Sequence, residues 1–333
     1  MLAVVLVGGF GTRLRPLTND VPKPMLPIVH RPMIVRLVER LAEGGVTDVV
    51  LALGFKPEPF EHAFPGGRVA GLPGVRVHYA VEPEPLDTGG AIAFAARFAG
   101  VDDTFVVANG DVITDLDVGR LIAEHRRIGL DATIHLTPVA EPSAFGVVEI
   151  DGDIVQRFVE KPAPGETDSD LINAGTYVFE PTVLDLIAPG ERLSIERVTF
   201  PTLVEAGRLA AVPTSDYWLD TGRPELYLQA NLDLVTGVRG PALDGVAADA
   251  VVEPGAQVVD SVVESGATVC DGATVARSVV LPGASIGVGA NVVDSIVAGT
   301  VGPGAWLERC VVGAGYVVDD GHSICDERLP APV

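Results

Sequence analysis

Residues 2–28 read LAVVLVGGFGTRLRPLTNDVPKPMLPI. The run 2–7 is apolar and stops at Gly8, the pattern of a short buried strand. Gly8, Gly9 and Gly11 follow, then Thr12, Arg13 and Arg15. Glycines just past a buried strand let backbone N–H groups approach an anion closely, and arginine offers a planar fork to phosphate oxygens. Two known phosphate loops are excluded by single residues. Leu14 stands where the dinucleotide fingerprint needs its third glycine, and Thr12-Arg13 stands where a Walker A loop needs Lys-Ser/Thr. Lys23 then sits between Pro22 and Pro24, so its ammonium is presented from a stiff loop.

Beyond this loop, strand-like and helix-like patterns alternate. Apolar residues recur at helical spacing over 32–43, 91–98 and 118–128, and strand-like runs occupy 49–53, 105–108 and 132–136. Such alternation predicts a mostly parallel sheet covered by helices on both faces, with ligands beyond the carboxyl ends of the strands. That places function in the loops after Val7 and Ala108.

The texture changes near residue 240. Segment 1–240 carries 16 of the 18 aromatics and all three lysines, whereas 241–333 has only Trp306 and Tyr316 and is rich in Val, Gly and Ala. Gly237 to Gly245, with Pro241 inside, reads as a linker. In the tail a Ser-[Val/Ile]-Val pattern recurs at Ser261, Ser278 and Ser295, 17 residues apart, and Cys310-Val311-Val312 follows 15 residues later. Aliphatic residues fall six apart between copies: Val263, Val269, Val275, then Val280, Ile286, Val292. This period predicts a parallel β-helix of three short strands per coil, each coil closing its open face on the next.

Composition bounds the rest. The chain has 333 residues, is 47% hydrophobic and carries a formal charge of −22. A field of that sign repels nucleic acid and anionic membrane surfaces. No apolar run reaches the length that crosses a bilayer, and the opening MLAVVLVGG lacks a basic n-region and a cleavage site. Three cysteines form no C-x-x-C pair, and six histidines are scattered. A cytoplasmic, reduced protein is expected, with no nucleic acid and no membrane as partner.

The string GGFGTRLRPLTNDVPKPMLPI resembles the signature of sugar-1-phosphate nucleotidylyltransferases. The resemblance continues in order through EPLDTGGA (84–91), NGD (109–111), FGVV (145–148), VEKP (159–162), NAGTYVF (173–179) and YWLDTG (217–222). It covers about residues 1–236 and is nearest to the mannose-1-phosphate guanylyltransferases. It implies a Rossmann-like mixed, mostly parallel α/β sheet flanked by helices in a catalytic domain 1–236, and a C-terminal left-handed parallel β-helix of hexapeptide-like repeats over 245–333.

The resemblance also implies roles. Arg13 and Lys23 cradle the triphosphate, Lys23 nearest the reacting α-phosphate. Gly8, Gly9, Gly11, Thr12, Thr88, Gly90 and Asp111 match the nucleotide pocket, with Glu82 at its rim. Gly146, Glu160, Lys161, Asn173 and Gly175 match sugar-phosphate positions. Asp111 and Asp220 match the carboxylates that hold Mg²⁺. The chemistry is consistent with this set: a sugar phosphate is already an oxyanion, so its attack on a nucleoside triphosphate needs positioning and charge neutralisation rather than a general base. Mg²⁺ suits one or two carboxylates plus phosphate oxygens.

The expected partners are a nucleoside triphosphate and a sugar 1-phosphate. The β-helix is expected to contribute to a homo-oligomer. Asp87 stands where many relatives carry glycine, so base choice stays open between GTP with mannose 1-phosphate and dTTP or UTP with glucose 1-phosphate. A silent, nucleotide-sugar-binding regulatory paralogue is the alternative from another class. A tail that transfers acyl groups would want a histidine base, and the tail has only His322.

Overall fold

The computed structural model describes residues 1–9, 11–54 and 57–331. The chain packs as two compact units. The first comprises 1–9 and 34–218, and the second 10–33 and 219–333.

The first unit is built on one ten-stranded mixed sheet. Its strands are β1 (Leu2–Leu6), β2 (Asp48–Leu53), β3 (Arg68–Val69), β4 (Leu72–Val81), β5 (Phe105–Asn109), β6 (Ala132–Pro138), β7 (Gly146–Asp151), β8 (Ile154–Glu160), β9 (Leu171–Phe179) and β10 (Leu209–Pro213). Their order is β7-β8-β10-β6-β9-β5-β1-β2-β4-β3. β5, β1, β2 and β4 run parallel, as the strand–helix alternation predicts, while β9 enters antiparallel between β5 and β6. Ala3, Val4 and Val5 are fully buried, which is why this strand reads as a continuous apolar run.

The helices fall close to their expected places: α1 is Met33–Glu43, α2 is Asp87–Phe98 and α3 is Val118–Ile128. Asp117 caps α3 by accepting from the Arg120 N–H at 2.9 Å, and Gly129 ends it in the left-handed region. Helix α2 starts four residues before the expected position 91, so Asp87-Thr88-Gly89-Gly90 forms its first turn. Gly90 explains why. A Cβ there would lie 2.3 Å from the Glu191 carbonyl oxygen, so only glycine lets this turn pack against the 191–195 segment. The core closes around Phe105, Tyr177, Phe179 and Phe200, with Phe105 and Phe179 edge-to-face at 5.9 Å.

The second unit contains the predicted parallel β-helix, three sheets of five short parallel strands each. Val263, Val269, Val275, Val280, Ile286 and Val292 are all fully buried, one aliphatic per strand pointing inward. The recurring serine has a specific cause. Ser278 Oγ donates to the Ala276 carbonyl at 2.8 Å and accepts the Ser295 N–H at 3.0 Å, and Ser261 and Ser295 make the same pair of bonds. These hydroxyls satisfy the corner backbone where the ladder breaks. The residue before each, and before Cys310 and Glu327 at the equivalent corners, turns in the left-handed region: Asp260, Arg277, Asp294, Arg309 and Asp326 have φ of 45–58°. Their signs alternate, and Arg277 and Arg309 reach Asp294 and Asp326 in bidentate pairs. Helix α4 (Pro224–Val235) and the segment 11–33 complete this unit. Among the described residues no helix is long and apolar enough to cross a membrane.

Candidate active site

The expected site residues divide between the two units. In the first, the carboxyl ends of β1 and β5 lead into Gly8, Gly9 and Asp111, and the amino-terminal half of β9, antiparallel beside the end of β5, carries Asn173 and Gly175. Gly9 has φ of 111°, open to glycine but strained for other residues. Gly110 donates to the Leu6 carbonyl at 2.8 Å, and a Cβ on it would lie 2.8 Å from that same oxygen. The tight approach of β5 to β1 therefore fixes where Asp111 emerges.

Asn173 and Gly175 mark a bulge in β9. Asn173 Oδ1 accepts the Gly175 N–H at 3.0 Å and Nδ2 donates to the Tyr177 hydroxyl at 3.0 Å. A Cβ on Gly175, whose φ is 78°, would lie 2.6 Å from Asn109 Nδ2. The bulge thus presses β9 onto the end of β5. Trp218 closes this corner, donating from its indole to the Ala174 carbonyl at 2.8 Å and meeting Phe145 edge-on at 5.6 Å.

Gly146, Glu160 and Lys161 come together at the β7–β8 end. Gly146 pairs with Glu160 across the strands, and a Cβ on Gly146 would lie 2.6 Å from the Phe158 ring and 3.0 Å from Glu160 Oε2. Lys161 has φ of 54° and its N–H is held by the Phe145 carbonyl at 2.9 Å. Its ammonium is exposed, 3.7 Å from Glu160 Oε1. Burial and the nearby Glu196 push the Glu160 carboxyl above its ordinary range. Burial, then Glu196, Glu160 and Asp111, raise the Tyr177 phenol.

Glu196 is a residue that sequence reasoning missed. Its Oε2 accepts from Thr88 Oγ1 and from Ser194 Oγ, both at 2.6 Å. Thr88 Oγ1 in turn accepts the Ile195 N–H at 3.0 Å. The first turn of α2 is thereby tied to the 194–196 turn. The one local signal is Ser194, a helix-capping serine two residues ahead. Glu82 is buried, its Oε2 accepts the Leu86 N–H at 2.9 Å, and burial raises its carboxyl.

In the second unit, Gly11 turns left-handed and its carbonyl accepts from Thr18 Oγ1 at 2.7 Å and the Leu14 N–H at 2.9 Å. A Cβ on Gly11 would lie 3.3 Å from Lys23 Cβ, so the glycine loop folds back onto the lysine loop. Lys23 opens a 3₁₀ turn flanked by its two prolines and is 7% exposed. Its ammonium lies 3.4 Å from Asp220 Oδ1, which also accepts the Gly222 N–H at 2.9 Å. A Cβ on Gly222 would lie 3.0 Å from that carboxylate. Glycine thus keeps the space beside Asp220 clear. Arg13 is exposed, and Arg328 donates to its carbonyl at 2.7 Å. Thr12 begins the same turn as Arg13. Phe10 and Lys56 lie outside the described residues.

Among the described residues, no group of three or more His, Cys, Asp or Glu side chains is placed to hold a metal. Asp111 directly follows Gly110, and Asp220 stands two residues before Gly222, whose Cβ would lie 3.0 Å from its carboxylate; one or two carboxylates of this kind are what Mg²⁺ takes from a protein.

Residues 2–237 match the family described as nucleotidyl transferase. The chain belongs to the nucleotidyl transferase family. The tail matches the GlmU-like C-terminal hexapeptide family over 233–301 and 248–328, which fits a left-handed β-helix. A mannose-1-phosphate guanylyltransferase of Mycobacterium tuberculosis is 43% identical over 77% of this chain and 71% of its own length. A mannose-1-phosphate guanyltransferase of Schizosaccharomyces pombe is 38% identical over 78% and 73%. Among solved structures, a Bacillus anthracis protein described as a glucose-1-phosphate thymidylyltransferase, in complex with sucrose, superimposes with a TM-score of 0.63. It is 26% identical and covers 73% of this chain and 98% of its own.

Proposed function

We propose that this nucleotidyl transferase joins GTP to mannose 1-phosphate, releasing pyrophosphate and GDP-mannose. The observation that carries the substrate choice is the 43% identity over 77% of the chain to a relative of that name. The sugar-phosphate oxyanion attacks the α-phosphorus and the bond to the β-phosphate breaks, with no proton to remove. Lys23 neutralises charge on the triphosphate from its proline-framed loop, and Arg13 grips its outer oxygens. Lys161 binds the sugar phosphate and Glu160 accepts from a sugar hydroxyl. Gly8, Gly9, Gly11, Thr12, Thr88 and Gly90 shape the nucleotide pocket by close backbone approach, with Glu82 holding its rim. Asn173 and Gly175 shape the sugar side, and Gly146 leaves it room.

We assign Mg²⁺ to Asp111 and Asp220, where it would supply a Lewis acid for phosphate oxygens. We further propose a catalytic domain 1–236, a β-helix domain 245–333 that supports a homo-oligomer, and a cytoplasmic location. A matrix of five nucleoside triphosphates against several sugar 1-phosphates, read by pyrophosphate release with Mg²⁺, tests the reading. The expected result is highest turnover with GTP and mannose 1-phosphate. Preference for dTTP with glucose 1-phosphate, the activity named for the Bacillus protein, or for UTP with the same sugar phosphate, refutes the substrate pair. Silence in every well refutes the enzyme.

A further inference from the structure

Four residues after Lys23 the chain makes a short hairpin, Pro27–Ile28 pairing with Arg31–Pro32. Its two-residue loop is Val29-His30, and both residues have positive φ, 44° and 65°. A tight hairpin of this kind favours Asn-Gly or Gly-Gly, and a β-branched residue at positive φ is strained. The loop therefore persists only because its surroundings hold it. What holds it is α4 together with the first coil of the β-helix. The Val29 N–H donates to Asn231 Oδ1 on α4 at 3.0 Å, and Asn231 is fully buried. The Tyr227 hydroxyl, one turn earlier on α4, donates to the Pro27 carbonyl.

Two further contacts reach one β-helix residue. The His30 N–H donates to Glu264 Oε1 at 2.9 Å and the His30 ring Nδ1 meets Glu264 Oε2 at 2.9 Å. Ring Nε2 meets the Asp244 carbonyl at 3.0 Å. Glu264 is 1% exposed, and its own backbone is locked into the coil ladder through the Val280 carbonyl. A buried carboxylate is costly unless paired, and both of its oxygens are used by one residue of the hairpin. Nothing in the proposed chemistry needs Glu264.

We propose that Glu264, acting through His30, is a positioning residue for Lys23: the first coil of the β-helix clamps the strained hairpin and so fixes where the lysine ammonium stands. This gives the tail a part in the reaction that is separate from assembly. The inference rests on the assignment of Lys23 to the triphosphate.

The test compares Glu264→Ala, Glu264→Gln, His30→Gly and Lys23→Ala in the full chain, with GTP and mannose 1-phosphate, at a temperature where circular dichroism shows each folded. Gln keeps the clasp, because its carbonyl accepts the His30 N–H and its amide donates to a neutral ring. Gly suits the turn better than His but removes the ring, so a purely structural role predicts no loss there. The expected result is a fall of about tenfold or more in kcat/KM for GTP in Glu264→Ala and His30→Gly, as a displaced phosphate ligand produces. KM for mannose 1-phosphate should stay within about twofold and Glu264→Gln within about threefold of the parent on the same argument. If folded Glu264→Ala and His30→Gly keep the parent kcat and KM while Lys23→Ala is inactive, the clamp is refuted and the functional reading stands. If Lys23→Ala is itself fully active, the assignment of Lys23 falls and the clamp falls with it. Should Glu264→Ala fail to fold, His30→Gly alone decides.

Discussion

The carboxyl edge of the ten-stranded sheet and the β-helix solve the same problem, satisfying backbone and polar groups at turns, in opposite ways. In the β-helix one solution repeats. Ser261, Ser278 and Ser295 make the same two bonds, and a left-handed residue of alternating charge precedes each. At the sheet edge every solution is used once. Gly90 yields to the Glu191 carbonyl, Gly110 to Leu6, Gly175 to Asn109, and Thr88 is tied to Glu196. Repetition spreads stability evenly over neighbouring coils, whereas single-use contacts concentrate it where the chemistry is placed.

The largest effect expected from breaking this contrast is on turnover. Asp111→Asn should lower kcat by at least about a thousandfold, as loss of a charge-neutralising site does, with the melting profile unchanged. A steady-state assay beside a thermal melt reads both, and an Asn variant of parental rate would remove Asp111 from the metal site. Next comes acid. His135 is buried on β6 with its pKa pushed down to about 4, because burial disfavours the imidazolium. The unfolded chain takes up this proton below the ordinary value near 6.5. Stability is therefore full above that pH and falls as pH drops from there towards about 4, by about 3 kcal/mol in total. Urea unfolding at pH 7 and pH 4.5 should show this slope in the parent and lose most of it in His135→Gln.

Gly90→Ala should cost roughly 2–3 kcal/mol, since the new methyl meets backbone rather than a movable side chain. Denaturant midpoints would show it, and an unchanged midpoint would mean that the 191–195 segment yields freely. Smallest is Ser278→Ala, which leaves the Ser295 N–H without its acceptor at about 1–2 kcal/mol. Amide exchange should report the loss in the two adjoining coils and nowhere in the sheet.

The same contrast decides what could be read in advance. The β-helix was legible because a six-residue period is a physical signature: it puts one aliphatic inward per strand, as Val263, Val269 and Val275 are. The helices over 33–43 and 118–128 were legible from apolar spacing. The insertion of β9 antiparallel between β5 and β6 was not, because strand direction is set by long-range pairing that leaves no local trace. The early start of α2 was hidden by Gly89-Gly90, poor helix formers chosen for close packing. Most of the candidate site was legible only as motifs, since each residue alone is an ordinary turn or cap. Glu196 escaped because its role comes from meeting Thr88, more than a hundred residues away in the chain. The His30–Glu264 clasp escaped for the same reason.

The most direct measurement runs the reaction backwards. The chain is incubated with GDP-mannose, pyrophosphate and Mg²⁺, and the nucleotides are separated and quantified. Formation of GTP and mannose 1-phosphate in equal amounts, lost in Asp111→Asn and in Lys23→Ala, is the predicted result. GDP-mannose left intact by the folded parent chain, under conditions where pyrophosphate is also unconsumed, would contradict it.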